Sequence, residues 1–142
     1  MQNQPLLLER LAQAPIEKVW RALTEIQQLK QWFFPMMEHF EPQPGFETAF
    51  DVHHNGHVYP HLIKVVEADA PQNLAYTWRY GGYPGNSIVR FELEALGNQT
   101  QITLTHAVTE SFFAEQYPDF SENNFKLGWT HFIEALQQFA AR

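Results

Sequence analysis

Apolar and polar positions recur along this chain with two periods, and the switches between them divide it into three stretches. Residues 6–12 (LLLERLA) read as a short strand. Pro15 suits the first turn of a helix, and Ile16, Val19, Trp20, Leu23 and Ile26 then follow at helical spacing. A second short helix over residues 28–32 leads into the aromatic run Trp32-Phe33-Phe34-Pro35. From Gly45 the period becomes two. Residues 45–52 and 57–66 flank Asn55-Gly56, the strongest hairpin signal in the chain. Pro60 predicts an edge or a bulge in the second arm.

Residues 74–80 form another strand, with Tyr76, Trp78 and Tyr80 on one face and Ala75, Thr77 and Arg79 on the other. Val89, Phe91 and Leu93 alternate with Arg90, Glu92 and Glu94. After a turn at Gly97-Asn98, Ile102, Leu104 and His106 alternate with Thr103 and Thr105. One face is buried and one is wet, as in an antiparallel sheet. A Phe-rich connection then precedes a long helix over residues 124–141, opened by Asn124. Phe125, Trp129, Phe132, Ile133, Leu136 and Phe139 give it a broad apolar stripe.

Helices kept apart from a run of antiparallel strands define an α+β class. A helix of ~18 residues is about 27 Å long, enough to cross a whole sheet. The expected architecture is a curved antiparallel sheet wrapped around the C-terminal helix, with two short helices after the first strand. A strongly curved sheet does not seal against a straight rod, so a cavity is expected between them. No repeat, low-complexity tract or charge block interrupts the 142 residues, which read as one domain, 1–142.

Composition narrows the chemistry. There is no cysteine, which excludes disulfides, thiolate nucleophiles, zinc-thiolate sites and iron–sulfur clusters. Nine Lys+Arg against sixteen Asp+Glu give a net charge of −7, so no nucleic-acid partner is expected. The start, MQNQPLLLERLAQAP, has neither a basic leader nor a long apolar run. No membrane partner is expected and a cytoplasmic location follows. Aromatic residues reach 15%, with twelve Phe, five Tyr and four Trp, more ring surface than a small core plainly needs.

Seven histidines invite a metal reading, and spacing weakens it. His54 and His57 flank the Asn55-Gly56 turn at an exposed tip, while His53 points to the face opposite His54. His57 and His61 share a face but stand four residues apart, about 13 Å in a strand. The group reads as a solvated loop tip, and no metal or cofactor is expected. His106 differs: it continues the inward face of Ile102 and Leu104. A buried histidine is either satisfied by a core partner or is a polar, proton-exchanging group in a cavity. The loop Gly81-Gly82-Tyr83-Pro84-Gly85 lacks any phosphate-loop pattern and reads as a flexible rim.

Several segments together carry a family resemblance. Residues 14–24 (APIEKVWRALT) resemble the opening helix of START-like, helix-grip proteins of the SRPBCC superfamily. They resemble most the branch named after the activator of the heat-shock-protein-90 ATPase. Supporting matches are Leu29-Lys30-Gln31-Trp32-Phe33, residues 65–74 (VVEADAPQNL), Tyr76-Thr77-Trp78, Thr103-Leu104-Thr105-His106 and Gly128-Trp129. The resemblance implies a helix-grip fold and a β-strand bearing His106 that lines a ligand cavity. It also implies a co-chaperone-like interaction module as one alternative function, and a cyclase- or hydrolase-like enzyme using His106 as another.

The preferred function is binding of a hydrophobic or aromatic small molecule between sheet and C-terminal helix. Trp32, Phe34, Trp78, Phe91, His106, Trp129 and Phe132 are the expected lining, with His106 as the directional polar contact. No carboxylate pair or nucleophile–base set emerges, so catalysis is left open, with His106 the sole catalytic candidate. A protein partner is the other class of ligand the sequence leaves open.

Overall fold

The computed structural model of the chain describes residues 4–142. Residues 1–3, which open the segment read above as neither leader nor anchor, lie outside the described residues. Strand β1 (Leu6–Ala12) is followed by helices α1 (Ile16–Thr24) and α2 (Ile26–Trp32). Five strands come next: β2 (Glu47–His54), β3 (His57–Asp69), β4 (Asn73–Tyr80), β5 (Asn86–Leu96) and β6 (Gln99–Glu110). A short 3-10 turn at Pro118–Phe120 precedes the long helix α3 (Glu122–Ala140). The fold is α+β: a curved six-stranded sheet in the order β1-β6-β5-β4-β3-β2, antiparallel throughout, with α3 against its inner face.

Local chemistry explains where the elements break. Pro15 stands just before α1 rather than in it, with extended ψ of 156°. Ile26 opens α2 instead of continuing α1, because Glu25 is extended (φ −87°, ψ 124°) and separates the two. Near the end of α1 the Ala22 carbonyl accepts the Trp32 indole N–H at 2.7 Å, which ties α2 back onto α1. The hairpin turn has Asn55 at φ 51° and Gly56 at φ 78°, the mirror-image turn that matches strand twist. His54 pairs with His57 across it.

One expectation is refined and one is corrected. β3 is an interior strand, but its register with β4 begins only at His61, so Pro60 stands at a local edge on that side; the bulge falls between Val65 and Glu67. The missing Pro60 N–H is tolerated because β4 ends at Tyr80, and the Pro60 carbonyl still accepts from Gly81 at 2.9 Å. The long helix is capped by Ser121, not Asn124. The Ser121 hydroxyl accepts the Asn124 backbone N–H at 3.1 Å, and the Asn124 side chain donates back to the Pro118 carbonyl at 3.2 Å.

Register fixes which inward side chains become neighbours. One row across the sheet runs Leu6, His106, Val89, Tyr76, Val65. The next contains Ser87, Trp78 and Ile63, and beyond it lie Tyr80, His61 and Phe50. All but Leu6 are buried, and α3 supplies Phe125, Trp129, Ile133 and Leu136 opposite them. Among the described residues no helix is long and apolar enough to cross a membrane.

Candidate functional site

His106 sits in the row nearest the start of β1, beneath the first turns of α3. Its ring centre is 4.6 Å from that of Phe125 and 5.7 Å from that of Trp129. The residue is 3% exposed, and its Nε2 has no hydrogen-bond partner among the described residues. Burial penalises the charged imidazolium and pushes the pKa down to about 4. At neutral pH the ring is therefore uncharged, with one nitrogen able to donate and the other to accept.

A partly open cavity of about 170 Å³ lies beside this imidazole. Its walls include Leu6, Val108, Phe112, Phe113, Phe120 and Phe125. The segment between β6 and α3 supplies Phe112, Phe113 and Phe120, and its path is constrained at two points. Phe113 adopts φ 54°, uncommon for a side-chain-bearing residue, and is 56% exposed at the rim. Gly85, at φ 105°, lets the β4–β5 loop press on Phe112: a Cβ there would stand 2.3 Å from the ring and 2.8 Å from the Phe112 Cα.

A second, smaller cavity of about 130 Å³ lies further along the same groove. Phe34, His61, Trp78, Gly128, Trp129 and Phe132 contribute to it, and Phe125 borders both cavities. By spacing alone, His61 groups with the loop-tip histidines. The structure buries it against Phe50, Trp78 and Tyr80, with ring centres 4.8–5.3 Å apart. Its Nδ1 meets the Tyr59 carbonyl at 2.8 Å, and because a carbonyl only accepts, Nδ1 carries the proton and Nε2 is left as an acceptor. Burial pushes the His61 pKa down to about 4, outweighing the carbonyl and the charge of Asp51. The neighbouring Tyr80 hydroxyl accepts from Trp78 Nε1 at 3.0 Å, and burial pushes its pKa up.

The residues expected to line a ligand site are thus distributed. His106 borders the first cavity; Phe34, Trp78, Trp129 and Phe132 border the second. Trp78 and Trp129 meet edge to face at 4.9 Å, which fixes the floor between them. Trp32 and Phe91 border neither. Trp32 is spent on the bond to Ala22, and Phe91 is fully buried beside Tyr76. In sequence terms Phe112 and Phe120 belong to a Phe-rich connection and Phe125 to a core stripe. Their signal is positional: a connection leaving the end of β6 for the start of α3 has to cross the open end of the groove. His53, His54 and His57 are exposed, and among the described residues no group of three His, Asp or Glu stands as a metal site.

Residues 13–141 match the family model described as activator of Hsp90 ATPase homolog 1-like protein. The chain belongs to this family. Solved structures repeat the Hsp90-activator-homolog fold over nearly the whole chain. A Chromobacterium violaceum protein superposes with a TM-score of 0.79 at 18% identity, covering 97% of each chain. A Mesorhizobium loti protein gives 0.73 at 25% identity, covering 96% of each. DynU16, from the dynemicin biosynthetic locus, gives 0.75 at 20% identity over 96% of this chain and 47% of its own. No curated protein matches the sequence.

Proposed function

We propose that this protein binds a small, largely apolar molecule carrying one hydroxyl or carbonyl group, held beside His106. The observation that carries this reading is the buried, unpartnered Nε2 of His106, a residue that borders a largely apolar cavity whose polar lining is limited to Gln4, Ser111 and Glu122. An unpaired buried polar atom costs ~1–3 kcal/mol, and a ligand that bonds to it recovers that cost on binding. The neutral imidazole accepts from a hydroxyl or donates to a carbonyl, whichever the ligand offers. A ligand of this kind needs no basic residue around it.

The size of the space sharpens the class. A dry protein cavity of about 150 Å³ is known to accept benzene, so about 170 Å³ suits a single six-membered ring with a small polar group. The test uses phenol and benzene as probes, followed by the shift in melting temperature and by Trp fluorescence. Phenol is expected to bind saturably and more tightly than benzene, and His106→Leu is expected to erase that preference. Equal affinity for both probes in the unaltered protein, or no saturable binding, overturns the proposal.

A further inference from the structure

A third concavity lies outside the groove, at the Asn55-Gly56 end of the sheet. It is an open cleft of about 380 Å³ whose borders include Tyr59, Tyr83, Tyr117, Pro118, Asp119 and His57. Tyr83 stands between the other two tyrosines, 5.2 Å from Tyr59 and 5.4 Å from Tyr117, centre to centre. Behind them the buried Phe120 ring contacts all three at 5.3–6.0 Å and holds them in place. The three tyrosines are half-buried, so part of each ring remains open to the cleft.

Charge singles this cluster out. Asp119 accepts the Tyr59 hydroxyl at 2.6 Å, and that bond, with burial and the carboxylate charge, pushes the Tyr59 pKa up to about 12. Among the described residues Asp119 has no Lys or Arg partner, and none borders the cleft. A carboxylate set among aromatic faces, in a chain of net charge −7, is left without a cation. Aromatic faces attract cations within about 6 Å of the ring centre, most effectively cations too bulky and methylated to be strongly hydrated.

We propose that this cleft binds a small methylated ammonium cation of the quaternary type, seated on Tyr59, Tyr83 and Tyr117 and neutralised by Asp119. No Lys or Arg borders the cleft to pair with a phosphate, which disfavours a cation bearing a nearby anion, so a free cation is assigned rather than the headgroup of a choline lipid. The site has a lining separate from that of the cavity beside His106, and the two meet only at Phe120, which packs behind the tyrosines.

The experiment is a titration with choline, with its uncharged carbon analogue 3,3-dimethyl-1-butanol and with phosphatidylcholine vesicles, read from the ring signals of the three tyrosines by NMR. Choline is expected to bind saturably and at least about tenfold more tightly than the analogue. Asp119→Asn, which keeps an acceptor for Tyr59 and removes the charge, is expected to weaken choline about tenfold and leave the analogue unchanged. Tyr117→Leu is expected to weaken choline with the Asp119 bond intact. Equal binding of choline and its analogue, unchanged choline affinity in both variants, or binding of vesicles but not choline overturns the proposal. The ring signals of Phe112 and Phe125 report on the cavity beside His106, so failure here is distinguishable from failure of the phenol test.

Discussion

The imidazole of His106 lies opposite Leu6 on β1 and 4.6 Å from the ring of Phe125 on α3, with its Nε2 facing no partner. That one side chain therefore connects the edge of the sheet, the gripping helix and the cavity between them. Its neighbours in the sheet row, Leu6 and Val89, are apolar, and so are the α3 rings above it, apart from the indole N–H of Trp129. A polar group in such a place is costly to the fold, and the cost can be measured.

Replacing His106 by Leu removes the unsatisfied nitrogen while keeping a similar volume in the same packing. The expected outcome is a gain of about 1 kcal/mol in unfolding free energy, seen as a higher urea midpoint at unchanged slope. A loss of stability on His106→Leu would show instead that the imidazole makes a favourable contact, and would count against the ligand reading as well.

Acid should unfold this protein in a defined window. His61 and His106 both have folded pKa values pushed down from 6.5 to about 4 by burial. The unfolded chain then binds more protons between those values, so stability is fully present above pH 6.5 and falls as pH drops toward about 4. Each imidazole contributes ~3 kcal/mol to that loss. Urea midpoints measured from pH 8 to pH 4 should fall steeply, and the double change His61→Phe with His106→Leu should flatten the curve across this window.

Gly85→Ala tests how the cavity wall is held. The added Cβ would meet Phe112 at 2.3 Å on the ring and 2.8 Å on the backbone, at a φ of 105° that side-chain-bearing residues rarely adopt. Both effects oppose the native backbone, so destabilisation of ~2 kcal/mol or more is expected, read by thermal melting. Phe112 also borders the cavity beside His106, so phenol binding should weaken with it.

The strands and the long helix were legible because alternation and the apolar stripe are local properties of the sequence. Even His106 was placed inward by counting from Ile102 and Leu104. His61 was not, although Tyr59, His61, Ile63 and Val65 share a face that ends in two core residues. Its spacing from the neighbouring histidines groups it with the loop tip, and only register, which sets His61 opposite Phe50 and Tyr80, brings it inside. The split of the groove into two small cavities was not legible at all. It depends on where Phe125 stands relative to Phe112 and Phe120, which is set by the path of the connection and not by any periodicity.

Gly128 gives the last test. Its place inside α3 costs helix stability relative to Ala, by up to ~1 kcal/mol, and two reasons for keeping a glycine there are close backbone approach or reserved space. Close approach is removed by the geometry: a Cβ at Gly128 would have nothing within 4 Å. Gly128 instead borders the cavity of about 130 Å³ shared with His61, Trp78 and Trp129. Gly128→Ala is therefore expected to raise unfolding free energy by ~0.5–1 kcal/mol, measured by urea denaturation, because the helix gains without any clash. Phenol binding beside His106 should be unchanged, since Gly128 does not border that cavity. If Gly128→Ala destabilises the protein, α3 does not have the free space beside it that the geometry describes.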